Sequence, residues 1–146
     1  MPEFRTSDTI RSPLGHVWAF VTDVGKNKRW ISGLKSVEVL GGGAIGKGRW
    51  IRETRTTAGR THTLELQVTE FEPERQLQLT APHAGSDFVY TITLAPQGDD
   101  STRVELITEI RPRNLFGRAC APLGMMMMKK HDASLLPALK HAIEAA

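Results

Sequence analysis

Residues 49–71 read RWIRETRTTAGRTHTLELQVTEF, and the way this stretch doubles back decides the architecture. Ala58-Gly59 lies between two runs in which polar and apolar or β-branched residues alternate, the pattern of two strands joined by a two-residue hairpin loop. Such a loop pairs Thr57 with Arg60. The ladder then sets Arg55 opposite His62, Glu53 opposite Leu64, Ile51 opposite Leu66 and Arg49 opposite Val68, while Arg52–Glu65 and Thr54–Thr63 share the other face. Ile51, Leu64, Leu66 and Val68 mark the first face as the buried one, so Glu53, Arg55 and His62 lie on the buried side toward the hairpin tip. Two roles stay open for them: a solvated rim in which they pair with one another, or a polar anchor or acid–base pair for a ligand.

Outward from the hairpin, the chain from Leu34 is a train of strands: LKSVEVL, GRWIRETRTT, RTHTLELQVTEF, RQLQLTA, DFVYTITLA and TRVELITEIR. The connections GGGAIGKG, AG, EPE, PHAGS and PQGDDS are too short for parallel crossovers, which leaves six antiparallel neighbours in a meander. Upstream, EFRTSDTIR suits an edge strand. Ser12-Pro13 reads as an N-cap and first helical residue, opening a helix whose Leu14, Val17, Trp18 and Val21 share a face until Asp23 and Gly25 end it. KNKRWISG adds a second short helical turn anchored by Trp30.

The C-terminal stretch from Asn114 is helical in composition, yet its apolar stripe changes sides. At 100° per residue, Leu115, Phe116, Ala119, Leu123 and Met126 fall on one face and Met125, Met128, Leu135, Leu136, Leu139 and Ile143 on the other. Four consecutive methionines, Met125 to Met128, sweep about 300° and cannot share one buried face. Met125 and Met128 are therefore expected toward the body of the protein, with a bend or break at Pro122 and a tolerated kink at Pro137.

A strand, two short helices, six antiparallel strands and a terminal helix resemble the helix-grip architecture of the START/SRPBCC superfamily, the polyketide cyclase/dehydrase-like proteins. SPLGHVWAFVTDVGKNKRW is similar to that family's entry helix, with Val17-Trp18, Asp23 and Trp30 in place. GKGRWIRE resembles its glycine-led third strand, VTEFEPERQLQL its fourth-to-fifth strand corner and LLPALKHAIE its terminal helix. Each motif is a packing or turn signature, and their order and spacing over nearly the whole chain carry the resemblance. It implies an α+β helix-grip fold over 1–146 as a single domain, with a curved antiparallel sheet in β-α-α-β6-α order wrapped around a long C-terminal helix. It also implies an apolar cavity between sheet and helix for a lipid, polyketide or other hydrophobic small molecule. Shared catalytic residues are not implied, because fold and chemistry are separable.

Register and helical facing nominate the cavity wall: Ile51, Leu64, Leu66, Phe88, Tyr90, Ile92 and Leu106 from the sheet, and Met125 and Met128 from the terminal helix; the resemblance, in which the two-helix segment borders the cavity entrance, implies Trp30 as a gate. Methionine is unbranched and polarisable, so it adapts to ligands of irregular shape. Tyr90 brings a phenol to a greasy face, where it needs a partner such as Thr108 or a backbone carbonyl. Asp132 lies within the apolar stripe, costly unless it pairs, for example with Lys129, or is wetted. Tyr90, His62, Glu53 and Asp132 are thus the candidate acids and bases for cyclase, aromatase or dehydratase-like chemistry, the alternative to simple binding or transport.

Composition restricts the remaining classes. The 146 residues, 40% of them apolar, suffice for one core, and 19 basic against 16 acidic residues are interspersed without a block. No nucleic-acid partner is expected. No apolar run approaches the ~20 residues of a membrane span, and the start lacks a secretory pattern, so a cytoplasmic protein without stable membrane insertion is expected. Lys129 and Lys130 would add only ~1 kcal/mol each at an anionic surface. The single Cys120 makes neither a disulfide nor a zinc site and reads as soft packing material. No Ser-His-Asp order, metal cluster or phosphate loop is present, and no cofactor or metal is expected. Trp50, on the face opposite Ile51, would favour a homodimer.

Overall fold

A computed structural model describes residues 3–145. Seven strands form one antiparallel sheet: β1 (Glu3–Ile10), β2 (Leu34–Val39), β3 (Trp50–Thr57), β4 (Arg60–Glu72), β5 (Gln76–His83), β6 (Ser86–Pro96) and β7 (Thr102–Pro112). Their spatial order is β1-β7-β6-β5-β4-β3-β2. The meander accounts for six neighbours, and β1 closes onto β7 as an edge strand. The β3–β4 register is the one the loop dictates, with Arg55 opposite His62, Glu53 opposite Leu64 and Ile51 opposite Leu66. Ala58 and Gly59 adopt φ of 52° and 78°, the left-handed pair that suits a two-residue turn to the twist of its strands. Ala84 and Gly85 turn β5 into β6 in the same way, with φ of 43° and 82°. A shift in the β4–β5 register between Val68 and Glu70 inserts one extra residue, which bends the strand and deepens the curl of the sheet.

The helices cover the inner face. Helix α1 (Leu14–Thr22) is followed by a 3-10 helix (Val24–Arg29), and the chain ends in α2 (Leu115–Asp132) and α3 (Leu135–Glu144). Three sequence expectations are corrected. Ser12 does not cap α1: Pro13 holds that position, and the Ser12 hydroxyl bonds the His16 ring at 2.7 Å instead. The second helical segment is a 3-10 turn that stops before Trp30. The terminal helix does not break at Pro122, which lies inside α2, but further on, between Ala133 and Ser134.

The position of that break has a physical reason. Pro122 is exposed, so the carbonyl it leaves unpaired can be solvated. Pro137 falls in the first turn of α3, where its missing N–H has no intrahelical partner to lose. Ala133 N–H reaches back to the Lys129 carbonyl at 3.1 Å and the Ser134 hydroxyl to the His131 carbonyl at 2.8 Å, which closes α2 and lets the chain restart.

The two helices then meet the sheet differently. Leu135, Leu136, Leu139 and Ile143 of α3 pack with Ile10, Val17, Phe20, Val21, Ile92, Leu94, Val104 and Leu106 in the main core. A second cluster of Ile45, Ile51, Val68 and Leu77 meets it through Trp18, whose ring lies 5.4 Å from that of Phe71. Helix α2 buries only Gly117, Ala121 and Asp132. Its start is seated on the β5–β6 turn so closely that a Cβ on Gly117 would lie 2.1 Å from the Gly85 carbonyl oxygen. Asn114 caps the helix through the Gly117 N–H at 2.8 Å.

Candidate functional site

Because α2 rests on the sheet through its small residues and is tied down at both ends, a hollow is left beneath it. This outer cavity has a volume of about 470 Å³. Its walls are Phe88, Tyr90 and Ile110 from the sheet, and Phe116, Cys120, Ala121, Leu123, Gly124, Met127 and Met128 from α2. Its rim is formed by Ser32, His62, His83, Ala84 and Ser86, close to the two hairpin turns. A smaller inner cavity of about 70 Å³ lies under α1, the 3-10 helix and the start of α3, walled by Val24, Asn27, Trp30, Ile51, Leu66, Leu79, Ile92, Leu106 and Leu135 among others. Arg55, Tyr90, His131 and Asp132 line both, so a polar girdle marks the place where the two chambers meet.

The girdle is built from three elements. Register carries Glu53 and Arg55 inward from β3, and the Arg55 guanidinium donates to Glu53 Oε1 from Nη2 at 2.6 Å and from Nε at 3.1 Å. The side chains are only 4% (Glu53) and 17% (Arg55) exposed, so each charge depends on the other for compensation. Tyr90 stands on β6 between Leu79 and Thr108 of the neighbouring strands. Burial pushes its phenol pKa far up, and the Asp132 charge adds to the effect. Asp132, at the C-terminal end of α2, accepts a 2.6 Å hydrogen bond from the Thr108 hydroxyl. Burial still raises its pKa above the ordinary value, with the Thr108 bond, His131 and Arg55 opposing. His131 is shifted the other way, down, by burial and then by Arg55. Tyr90 and His131 therefore stay uncharged near neutrality. The site offers a neutral phenol, a neutral imidazole, a carboxyl held by the Thr108 hydroxyl whose pKa burial raises, and an internally compensated ion pair.

Placement of the nominated residues is mixed. Phe88, Tyr90 and Met128 line the outer cavity; Trp30, Ile51, Leu66, Tyr90, Ile92 and Leu106 line the inner one. Leu64 and Met125 are half-buried and line neither chamber; Met127 takes the place expected of Met125. Trp30 is 6% exposed, an inner wall and not a gate. Glu53 and Arg55 are no solvated rim, because α1, the 3-10 helix and the junction of α2 with α3 close over them; of the three, His62 alone is exposed. Thr108 serves Asp132, so Asp132 needs no lysine and Tyr90 does not hold Thr108. Cys120 is exposed at the cavity and is not core packing.

The sequence reading did not nominate Arg55 on its own, His131 or Asn27. For His131 a signal was present: it adjoins Asp132 where the helix changes face. Asn27 gave none, since a polar residue among lysines reads as surface. Among the described residues no cluster of three or more His, Cys, Asp or Glu is placed to hold a metal ion, and no helix is long and apolar enough to cross a membrane.

A curved sheet gripping a two-part terminal helix over a largely apolar hollow defines a helix-grip protein. The family described as polyketide cyclase / dehydrase and lipid transport matches residues 1–144, and the chain belongs to it. Comparison with curated proteins finds no match. Among solved structures, TTHA0849 from Thermus thermophilus is 22% identical with a TM-score of 0.74, the match covering 99% of this chain and 98% of that one. The di-domain ARO/CYC BexL from the BE-7585A biosynthetic pathway is 17% identical with a TM-score of 0.80, over 99% of this chain and 47% of BexL. The ZhuI aromatase/cyclase from Streptomyces sp. R1128 is 15% identical with a TM-score of 0.77, over 97% and 93%. At these identities the likeness is one of fold.

Proposed function

We propose that this protein binds, and by binding carries, a hydrophobic small molecule of lipid or polyketide character in the cavity beneath α2. The observation that carries this reading is the hollow itself: about 470 Å³, within the ~300–1,000 Å³ typical of small-molecule sites. Its apolar walls hold Met127 and Met128, which can repack around different shapes, and a few polar groups are gathered at one end to orient the ligand. Purified protein should release a stoichiometric hydrophobic compound on organic extraction, seen as a mass difference in native mass spectrometry. Protein that neither retains nor takes up such molecules would overturn the reading.

A second reading, cyclase, aromatase or dehydratase-like catalysis, has the girdle in its favour. Tyr90 and Arg55 could donate hydrogen bonds to a carbonyl oxygen while Asp132 or His131 exchanges a proton with the adjacent carbon, and the cavity would fold a flexible chain into a reactive conformer. Aromatase/cyclases of the same fold, BexL and ZhuI, support considering it. Tyr90→Phe and Asp132→Asn would then abolish turnover of a poly-β-ketone chain while leaving its affinity nearly unchanged; turnover surviving in both would end this assignment.

A further inference from the structure

The outer surface of α2 is apolar where a solvated helix would be polar. Six large apolar side chains are exposed among the described residues, and five of them, Leu115, Phe116, Leu123, Met126 and Met127, belong to this helix. At 100° per residue they fall within an arc of about 120°, so they form one ridge along the helix. Single exposed residues are ordinary, whereas a contiguous patch marks a contact surface. The ridge adjoins the outer cavity along one edge: Phe116, Leu123 and Met127 are exposed and line the cavity as well. Arg118 and Lys129 follow the opposite edge, and Lys130 falls within the arc at the C-terminal end of the helix.

The charge around the ridge has one sign. Residues 115–131 carry Arg118, Lys129 and Lys130 and no carboxylate. None of the three pairs with a carboxylate of a described residue; Lys129 rests over the Phe4 ring at 5.5 Å. Asp132 is buried and held by Thr108, and Asp87 is engaged at 3.2 Å by Arg113, just ahead of the helix. A second copy of the chain would bring three further cations to an interface with no carboxylate from α2 to meet them. A folded protein partner needs directional polar contacts, about one hydrogen bond per 100–200 Å², and apart from Lys130 the ridge offers only leucine, phenylalanine, methionine and alanine. An anionic lipid surface meets both features at once. Its headgroups attract the cations, and the acyl boundary takes apolar side chains with no demand on their geometry. An apolar ligand drawn from that boundary would reach the cavity past Phe116, Leu123 and Met127 without crossing water.

We propose that α2 docks this protein reversibly on an anionic lipid surface, its apolar ridge dipping into the headgroup boundary and its cations meeting the headgroups, so that the mouth of the outer cavity faces the lipid. This rests on the carrier reading of that cavity only in naming where the ligand is taken up, and the test separates the two. Wild-type protein, Leu115→Gln/Met126→Gln and Lys129→Gln/Lys130→Gln are floated with vesicles of phosphatidylcholine, alone or with about a third phosphatidylglycerol, and each protein is titrated in solution with 1-aminoanthracene. None of the four substituted residues lines the outer cavity, and all four are exposed. Wild-type protein should float with the anionic vesicles, and at least tenfold more weakly with neutral ones or in about 1 M salt, which screens charges beyond ~3 Å. Each variant should lose at least tenfold in affinity for the anionic vesicles and keep the wild-type affinity for 1-aminoanthracene. Wild-type protein that ignores the anionic vesicles, binds neutral ones equally well, or is matched by Leu115→Gln/Met126→Gln would overturn the docking surface and leave the cavity standing. So would concentration-dependent dimerisation that the same variant abolishes. Vesicle binding by a protein that takes up no 1-aminoanthracene would overturn the carrier reading and leave the docking surface.

Discussion

Helices α2 and α3 grip the same sheet, yet one closes over it and the other stands off. Helix α3 presents Leu135, Leu136, Leu139 and Ile143, all buried, and each fully buried side chain of this kind contributes about 1.5–3 kcal/mol relative to exposure. Helix α2 offers glycine and alanine at its close contacts and leaves Leu115, Phe116, Leu123, Met126 and Met127 between 60 and 80% exposed. Large residues fill their half of the grip. In the other half, small residues seat the helix at a few points and flexible ones border the space between. Large buried side chains are thus concentrated under α3 and open space under α2, and Asp132, Tyr90 and Arg55 lie at the boundary.

That division can be broken most forcefully at the boundary. Arg55→Met leaves the Glu53 carboxylate buried without its partner and should cost about 3–5 kcal/mol in denaturant unfolding; adding Glu53→Leu should recover most of it. An Arg55→Met protein as stable as wild type would show that the pair is not truly buried. Under α3, Leu139→Ala should cost about 2–5 kcal/mol, whereas Met127→Ala, its counterpart under α2, should change stability by no more than about 0.5 kcal/mol while weakening uptake of a hydrophobic probe. Equal stability losses at the two positions would erase the contrast.

The pH dependence sharpens it further. Burial raises the folded pKa of Asp132 above its ordinary 3.8, so folding favours the protonated carboxyl. That contribution is complete below pH 3.8 and is lost as the pH rises through the raised value. Asp132→Asn should therefore gain on wild type as the pH climbs from 3.8, and melting curves of the two that stay parallel would contradict the shift. His131 has the opposite sign: its pKa is depressed below 6.5, so its contribution is present above pH 6.5 and is lost as the pH falls through the depressed value. His131→Gln should be less acid-sensitive than wild type over that interval.

Much of the fold was legible because β structure with short loops leaves little freedom. Once Ala58-Gly59 is a two-residue turn, every pair from Thr57–Arg60 to Ile51–Leu66 follows, and alternation assigns the faces. Depth was not legible. Glu53 and Arg55 sit on the correct face, but whether that face is rim or interior depends on where α1, the 3-10 helix and the junction of α2 with α3 lie, and nothing local to β3 encodes that. The break at Ala133-Ser134 escaped detection because proline is as compatible with a first turn as with a kink, and Pro137 takes the first role while Pro122 is absorbed at an exposed position. The side change of the apolar stripe marked the region correctly and placed its cause too early. Asn27 was invisible because its burial comes from β2, α1 and α3 closing around a short polar turn.

The central claim, that the space beneath α2 takes up a hydrophobic molecule, is tested most directly by titrating the neutral fluorophore 1-aminoanthracene into wild-type protein and into Ala121→Leu, whose added bulk enters the outer cavity. The account predicts saturable one-to-one binding with a blue-shifted emission in wild type and at least a tenfold loss of affinity in an Ala121→Leu protein that still melts cooperatively. Binding that fails to saturate, or that is equally tight in the filled variant, would contradict it.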